Sequence, residues 1–153
     1  MLDLPMLAFQ INGIDESIDL TIEEVWGFPH EPDSYCGGYG AKGRVTVQAG
    51  EYSVSAMHYF STGELYKFLL QLELCYERLD GNAMLENLEC ELELKCEFNR
   101  LGHVIVLGRF QADLSVGNAL DFEIRTDQTQ VRSTLSQLRT VFDIFGGNEG
   151  KKQ

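Results

Sequence analysis

The sequence is poor in positive charge and has no long apolar run. Only 12 of its 153 residues are Lys or Arg, against 24 Asp or Glu, so the formal charge is −12. This charge repels phosphate backbones and anionic membrane surfaces, which argues against direct binding of nucleic acid or membranes. No apolar run approaches the roughly 20 residues that a membrane span needs, and no basic segment precedes the first apolar residues. We therefore expect a cytoplasmic protein.

The cysteines also lack the spacing of a metal site or a disulfide framework. Cys36, Cys75, Cys90 and Cys96 include no CxxC pair and no flanking histidine at zinc spacing. If Cys90 and Cys96 share one strand face, they lie about 20 Å apart, which is beyond the reach of a disulfide. We expect buried, reduced thiols, as is usual in a cytoplasm.

No motif of a catalytic or cofactor site is present. The glycine-rich stretch CGGYGAKG, from Cys36 to Gly43, precedes a predicted strand instead of opening a helix, so it does not fit a phosphate loop. There is no GxSxG elbow. His30, Glu31 and Asp33 carry metal-ligand groups, but the sequence brings no further ligand near them. We predict no catalytic residues, no metal site and no cofactor.

Alternation and helical periodicity predict six strands and two helices. Ser61 with Glu64 forms a capping box in sequence, and Asp127 with Gln130 forms a second one, so a helix is predicted after each. The first helix is predicted over 62–79, and the second ends at Phe145 before two glycines. The predicted strands cover 18–25, a hairpin over 44–60 that turns at 49–51, 88–98, 103–110 and the region around 120–124.

An offset of 66 positions superposes the two predicted helices, because Ser61 then falls on Asp127 and Leu72 on Leu138. Roughly three strands precede each helix, so the predicted order is βββα-βββα. This order predicts an α+β fold, in which a mainly antiparallel sheet of about six strands carries two amphipathic helices on one face. The predicted division is a single domain over 1–147 and a flexible tail over 148–153.

The segment LECELELKCEF, from Leu88 to Phe98, alternates acidic and apolar residues. In one continuous strand, its glutamates would all project from the sheet face that the helices leave open. An acidic face of this kind either keeps the sheet soluble or recognises a cationic protein. The residues predicted to bind a partner are those glutamates and three residues of the long loop over 27–43: Glu89, Glu91, Glu93, Glu97, His30, Glu31 and Asp33.

Three segments resemble the WapI-like immunity proteins of bacteria. They are HYFSTGELYKFLLQLELCYERL, the strand LECELELKCEF with its return LGHVIVLGRF, and LDFEIRTDQTQVRSTLSQL. The resemblance covers Ile18 to Phe145 and implies a non-enzymatic cytoplasmic protein that binds and neutralises a cognate toxin domain. An inhibitor that exposes carboxylates suits a toxin with a basic surface for phosphates.

Two other interpretations remain open at this stage. The first is a small-ligand-binding, metal-binding or hydrolytic domain that uses the 27–43 loop together with His30, His58 or His103. The second is a subunit of a larger assembly, which would carry an exposed apolar patch.

Overall fold

The order of elements ββββα occurs twice along the chain. The computed structural model describes residues 2–33 and 35–151. The elements of the first half are β1 (Met6–Asn12), β2 (Glu16–Val25), β3 (Gly40–Ala49), β4 (Tyr52–Ser61) and α1 (Thr62–Arg78). Those of the second half are β5 (Gly81–Glu86), β6 (Leu92–Phe98), β7 (His103–Phe110), β8 (Leu120–Asp127) and α2 (Gln128–Phe145).

Each half forms its own antiparallel sheet of four strands, in the order of the chain. The class α+β is confirmed, but the single sheet of about six strands is wrong. The apolar faces of both sheets and of both helices contribute to one continuous buried cluster. Phe9 of β1 packs against Phe68 of α1, for example, with ring centroids 5.8 Å apart. Each sheet keeps a second, solvent-exposed face.

β1 and β5 were not predicted, and the reasons differ between the two strands. In β1 the pairing with β2 shifts between Leu7 and Phe9, so two consecutive residues, Ala8 and Phe9, are buried and the alternation is lost. In β5 the strand begins at Gly81 and Asn82, which are typical helix terminators, and only Ala83 and Leu85 are buried.

Both helix starts are confirmed. The Ser61 hydroxyl accepts a hydrogen bond from the Glu64 amide at 3.1 Å, and the Ser61 amide donates to the Glu64 carboxylate at 2.7 Å. Asp127 accepts from the Gln130 amide at 3.0 Å, but the second predicted capping box is incomplete because the Gln130 side chain makes no bond back to the Asp127 amide. These bonds satisfy backbone amides that a helix leaves unpaired at its first turn, which is why the caps could be predicted from sequence.

The acidic strand is shorter than predicted. β6 begins at Leu92, and residues 87–91 form the connection from β5. Cys90 has a left-handed φ of 58° and is exposed, so it shares no strand face with Cys96. Cys75 and Cys96 are buried and Cys36 is partly buried, so the prediction of buried thiols is wrong for Cys90.

The long loop covers 26–39, because β3 begins at Gly40 and not near Arg44. Gly37 and Gly38 lie directly against the start of α1: a Cβ at Gly38 would collide with Thr62 and Gly63. The glycines therefore permit close approach of two backbones. On the other side of this loop, the Gly38 amide donates to the carbonyl of Asn148 at 2.8 Å.

The last described residues return to the same loop. The Lys151 amide donates to the Tyr39 hydroxyl at 2.8 Å. The predicted flexible tail extends to Lys152 and Gln153, which lie outside the described residues. Within the described residues, neither helix is long and apolar enough to cross a membrane.

Candidate functional site

The β5–β6 connection is fastened to the start of α1 by the Glu64 carboxylate. Glu64 is only 8% exposed, although it is charged. Besides the Ser61 amide, it accepts hydrogen bonds from the Leu88 amide at 2.7 Å and from the Asn87 side chain at 3.2 Å. The same residue thus caps the helix and holds a loop of the other half of the chain. A buried carboxylate is stable here because both oxygens have donors.

Asn87 also joins this connection to the end of β4. Its Nδ2 donates to the Tyr59 carbonyl at 3.2 Å, and its Oδ1 accepts from the Glu91 amide at 3.3 Å. Residues 87–91 are therefore fastened to the first half at Asn87 and Leu88, and the bond from the Glu91 amide closes the connection on itself.

His58 and Glu91 form a buried pair behind the connection. Their Nδ1 and Oε1 atoms lie 3.3 Å apart, and the side chains are 2% and 14% exposed. Burial lowers the pKa of His58 to about 4. Burial also raises the pKa of Glu91; the backbone amide of Tyr59 lowers it, and the nearby Glu89 raises it further. His58 is consequently neutral at pH 7, and within the described residues neither His58 Nδ1 nor Glu91 Oε1 has a hydrogen-bond partner.

A cleft of about 400 Å³ opens between the 26–39 loop and the β5–β6 connection. Three carboxylates line it, from Asp33, Glu64 and Glu89. No Lys, Arg or His occurs among the described residues that line it. We call this site the acidic cleft.

The acidic cleft also has aromatic walls. Trp26 and Tyr59 stack with centroids 6.2 Å apart and planes inclined by 20°, and both are nearly half exposed. Tyr35 at the rim is 81% exposed. Aromatic faces beside carboxylates attract guanidinium and ammonium groups, because the ring face carries negative potential. The geometry therefore suits a cationic side chain.

The predicted site residues are divided among three places. Glu89 and Asp33 meet in the acidic cleft. Glu91 is paired with His58 behind it, and His30 and Glu31 are exposed on the loop but do not line the cleft. Only Glu93 and Glu97 project from the open sheet face, so the predicted shared face of four glutamates is wrong. The reason is that the strand starts four residues later than predicted.

The open face of the second sheet is mixed in charge. Arg109 forms an ion pair with Asp121 at 2.9 Å, and Lys95 lies 3.9 Å from Glu97. Across β5–β8 the outward residues include five acids, three bases and three exposed apolar side chains: Glu86, Glu93, Glu97, Asp121, Glu123, Lys95, Arg109, Arg125, Met84, Ile105 and Leu107. This face therefore offers a weaker negative field than the acidic cleft.

A second cavity of about 520 Å³ lies at the corresponding junction of the other half. Arg125, His103 and Asp127 are among its lining residues. Arg125 pairs with Glu16 at 3.3 Å, and this pair lowers the pKa of the Glu16 carboxyl. The larger cavity thus has its own cation, Arg125, and lacks the negative excess of the acidic cleft.

Trp26, Tyr59 and Glu64 are residues that sequence reasoning missed as parts of a site. Tyr59 shares the outward positions of β4 with Ser55 and Met57, and that alternation was the available signal. Within 2–33 and 35–151, no three His, Cys, Asp or Glu side chains converge so that they could hold a metal ion.

Comparison with models of known protein families assigns the chain to one of them. The model of the WapI-like immunity protein family matches residues 9–146. The chain belongs to this family, which confirms the resemblance seen in the sequence. The family description indicates a role in neutralising a toxin. A search of curated proteins found no match.

Proposed function

We propose that this chain acts in the cytoplasm without catalysis and neutralises a cognate toxin domain by occupying a basic surface of that domain with the acidic cleft. One observation carries the proposal: three carboxylates and two stacked aromatic rings converge in a cleft whose described lining has no basic residue. A toxin that acts on nucleic acid needs cations to hold phosphate, and those cations are the groups that this cleft suits.

The overall charge of the chain also supports binding to a basic domain. A formal charge of −12 speeds encounter with a basic domain and orients it, and the effect weakens as salt screens the field. Within the cleft, Glu89 and Asp33 supply the charge, and Trp26 with Tyr59 supplies the surface over which a guanidinium can lie.

The test compares two double variants that change the net charge by the same amount. Asp33→Asn with Glu89→Gln removes two charges from the acidic cleft, whereas Glu93→Gln with Glu97→Gln removes two from the open sheet face. The probe is the cognate toxin domain, inactivated by mutation, and affinity is measured by calorimetry at two salt concentrations. Trp26, the only tryptophan, provides a fluorescence signal from the cleft itself.

We expect the cleft variant to bind roughly ten- to a hundredfold more weakly, because two charge-assisted contacts are lost, and the sheet variant to lose less than threefold. Cells that express the active toxin should lose protection in the same order. An equal loss in both variants would attribute binding to net charge and contradict the role of the cleft. A larger loss in the sheet variant would move the interface to the open face.

A small ligand is the second candidate. Both cavities, of about 400 and 520 Å³, have volumes within the range of small-molecule pockets. A ligand that binds the native state raises the melting temperature by mass action, so a thermal-shift screen of metabolites and divalent metals on the isolated chain tests this function. A reproducible stabiliser that is lost in the cleft variant would favour it.

A further inference from the structure

The four-stranded sheets leave four edge strands, and the helices close two of these edges. At β1, the Gln10 amide donates to the Gln137 side chain at 2.7 Å, and the Gln10 carbonyl accepts from Thr134 at 2.7 Å. At β5, the Met84 amide donates to Gln71 at 3.1 Å, and the Met84 carbonyl accepts from Gln71 at 3.2 Å. Gln71 and Gln137 are 66 positions apart, so the two halves close equivalent edges with the same residue.

The third edge, on β8, is protected by charge. Its outward positions carry Asp121, Glu123 and Arg125. The Arg125 amide donates to Glu16 at 3.1 Å, and its carbonyl accepts from the Ile14 amide at 3.3 Å. Charged residues on an edge strand oppose the addition of another strand, because their side chains must be desolvated beside it.

The fourth edge, on β4, has no such protection. At the positions 66 residues earlier, Ser55, Met57 and Tyr59 replace Asp121, Glu123 and Arg125. The only ionisable side chain in β4 outside its tyrosines is that of His58, which is buried. An edge strand of ten residues that carries no Lys, Arg, Asp or Glu of its own is unusual. The charge beside it comes from the neighbouring strand, where Arg44 donates to Ser55 Oγ at 3.3 Å.

The backbone of β4 presents free hydrogen-bonding groups at this edge. Gly50 and Glu51 form a two-residue turn, so Ala49 and Tyr52 are the first hydrogen-bonded pair of the hairpin. Hydrogen-bonded pairs then alternate along the strands, so the amides and carbonyls of the even-numbered residues of β4 bond to β3. The amides and carbonyls of the odd-numbered residues point away from β3. The Tyr59 carbonyl shows this, because it accepts a hydrogen bond from the Asn87 side chain. In the described part of the chain, nothing bonds the amides and carbonyls of Ser53, Ser55 and Met57.

We propose that an extended segment of the toxin adds to β4 as a fifth strand of the first sheet. This inference rests on the proposed function, and it names the backbone contact that accompanies the acidic cleft. The residues from Ser53 to Met57 span about 13 Å, enough for several main-chain bonds. Their edge leads directly to Tyr59 in the cleft wall, so one partner can reach both. Mutual repulsion at a charge of −12 disfavours a second copy of this chain as the occupant.

The test removes one backbone donor. Ser55→Pro deletes an amide that makes no bond in the free chain, so the sheet keeps all its own bonds. Ser55→Ala keeps that amide but loses the side-chain contacts with Thr46 and Arg44. Asp121→Pro is the matched control, because it introduces the same ring at the equivalent position of the protected edge. Each variant is first shown to be folded by circular dichroism and thermal unfolding.

With the inactivated toxin domain as probe, Ser55→Pro should bind about tenfold more weakly or worse, since a partner carbonyl is left unpaired and the ring obstructs the added strand. Ser55→Ala and Asp121→Pro should stay within about threefold of the parent chain by the same reasoning. Hydrogen exchange provides a direct reading: the amides of Ser53, Ser55 and Met57 should exchange fast in the free chain and be protected in the complex.

The outcomes separate this inference from the proposed function. If the parent chain does not bind or neutralise the toxin domain, the proposed function fails. If the parent binds but Ser55→Pro binds equally well, or the three amides stay unprotected, only the added strand is refuted. A dimer of the free chain in sedimentation that Ser55→Pro dissociates would assign the edge to a second copy and overturn the inference as well.

Discussion

His58 makes the stability of this protein depend on pH, and the size of the effect follows from its burial. The unfolded chain has an ordinary histidine pKa near 6.5, whereas burial lowers the pKa to about 4 in the folded chain. The unfolded state therefore binds more protons between these values, and stability falls as the pH drops below 6.5. Between pH 7 and pH 5, the loss from this residue is about 2 kcal/mol.

Glu91 makes the stability depend on pH in the opposite direction. Burial raises the pKa of its carboxyl, so the stability that it contributes is present at acid pH and is lost as the pH rises through the folded value. Acid also relieves the repulsion within a chain of charge −12. A measurement on the parent chain alone would mix these effects, so the contribution of His58 has to be taken as a difference from a variant.

His58→Gln removes the titrating group and leaves the acidic residues unchanged. Urea unfolding of both proteins at pH 7 and pH 5 gives four free energies of unfolding. We expect the parent to lose about 2 kcal/mol more than the variant over this interval, whatever the absolute stabilities are. The same loss in both proteins would show that His58 is not the buried titrating residue, and the close packing of His58 behind the β5–β6 connection would then be wrong.

Two further predictions concern the elements that hold the acidic cleft. Glu64→Gln presents an amide group to the Leu88 amide and should cost about 1–3 kcal/mol of unfolding free energy. Glu73→Gln, which weakens the surface pair with Arg139 of α2, should cost less than about 1 kcal/mol. Equal costs by urea unfolding would contradict the role of Glu64. Gly38→Ala should cost clearly more than the roughly 1 kcal/mol expected for Gly50→Ala. Both glycines have positive φ, but only Gly38 lies against other backbone, so similar shifts in melting temperature would refute that close packing.

Local signals explain what could be predicted about the fold. The caps at Ser61 and Asp127 act within one helical turn, so their residues are close in sequence as well as in space. The repeat of 66 residues was visible because the helices keep both the cap and the apolar positions. The division into two sheets was not visible, since it depends on β1 and β5, and a bulge at Phe9 and the start at Gly81 conceal these strands.

The candidate site was predictable only in part, for a related reason. Asp33 and Glu89 were both chosen from the sequence, but nothing in it shows that these residues, 56 positions apart, line one cleft. That proximity depends on Glu64 and Asn87, which use buried hydrogen bonds to hold residues 87–91 against the first half. Long-range polar contacts of this kind leave no periodic pattern in a sequence.

The duplicated fold also explains why the acidic cleft and the cavity of about 520 Å³ differ in charge. In the second half, Arg125 occupies the outward position before the helix cap and neutralises Glu16. In the first half, Tyr59 occupies the equivalent position, and it replaces a cation with an aromatic face. Glu91 lies beside His58, whose pKa burial lowers to about 4, and Glu89 has no Lys or Arg from β4 beside it. The difference between Arg125 and Tyr59 therefore removes a positive charge from the first half and adds an aromatic face that attracts positive charge. Both effects favour a cationic partner at the acidic cleft.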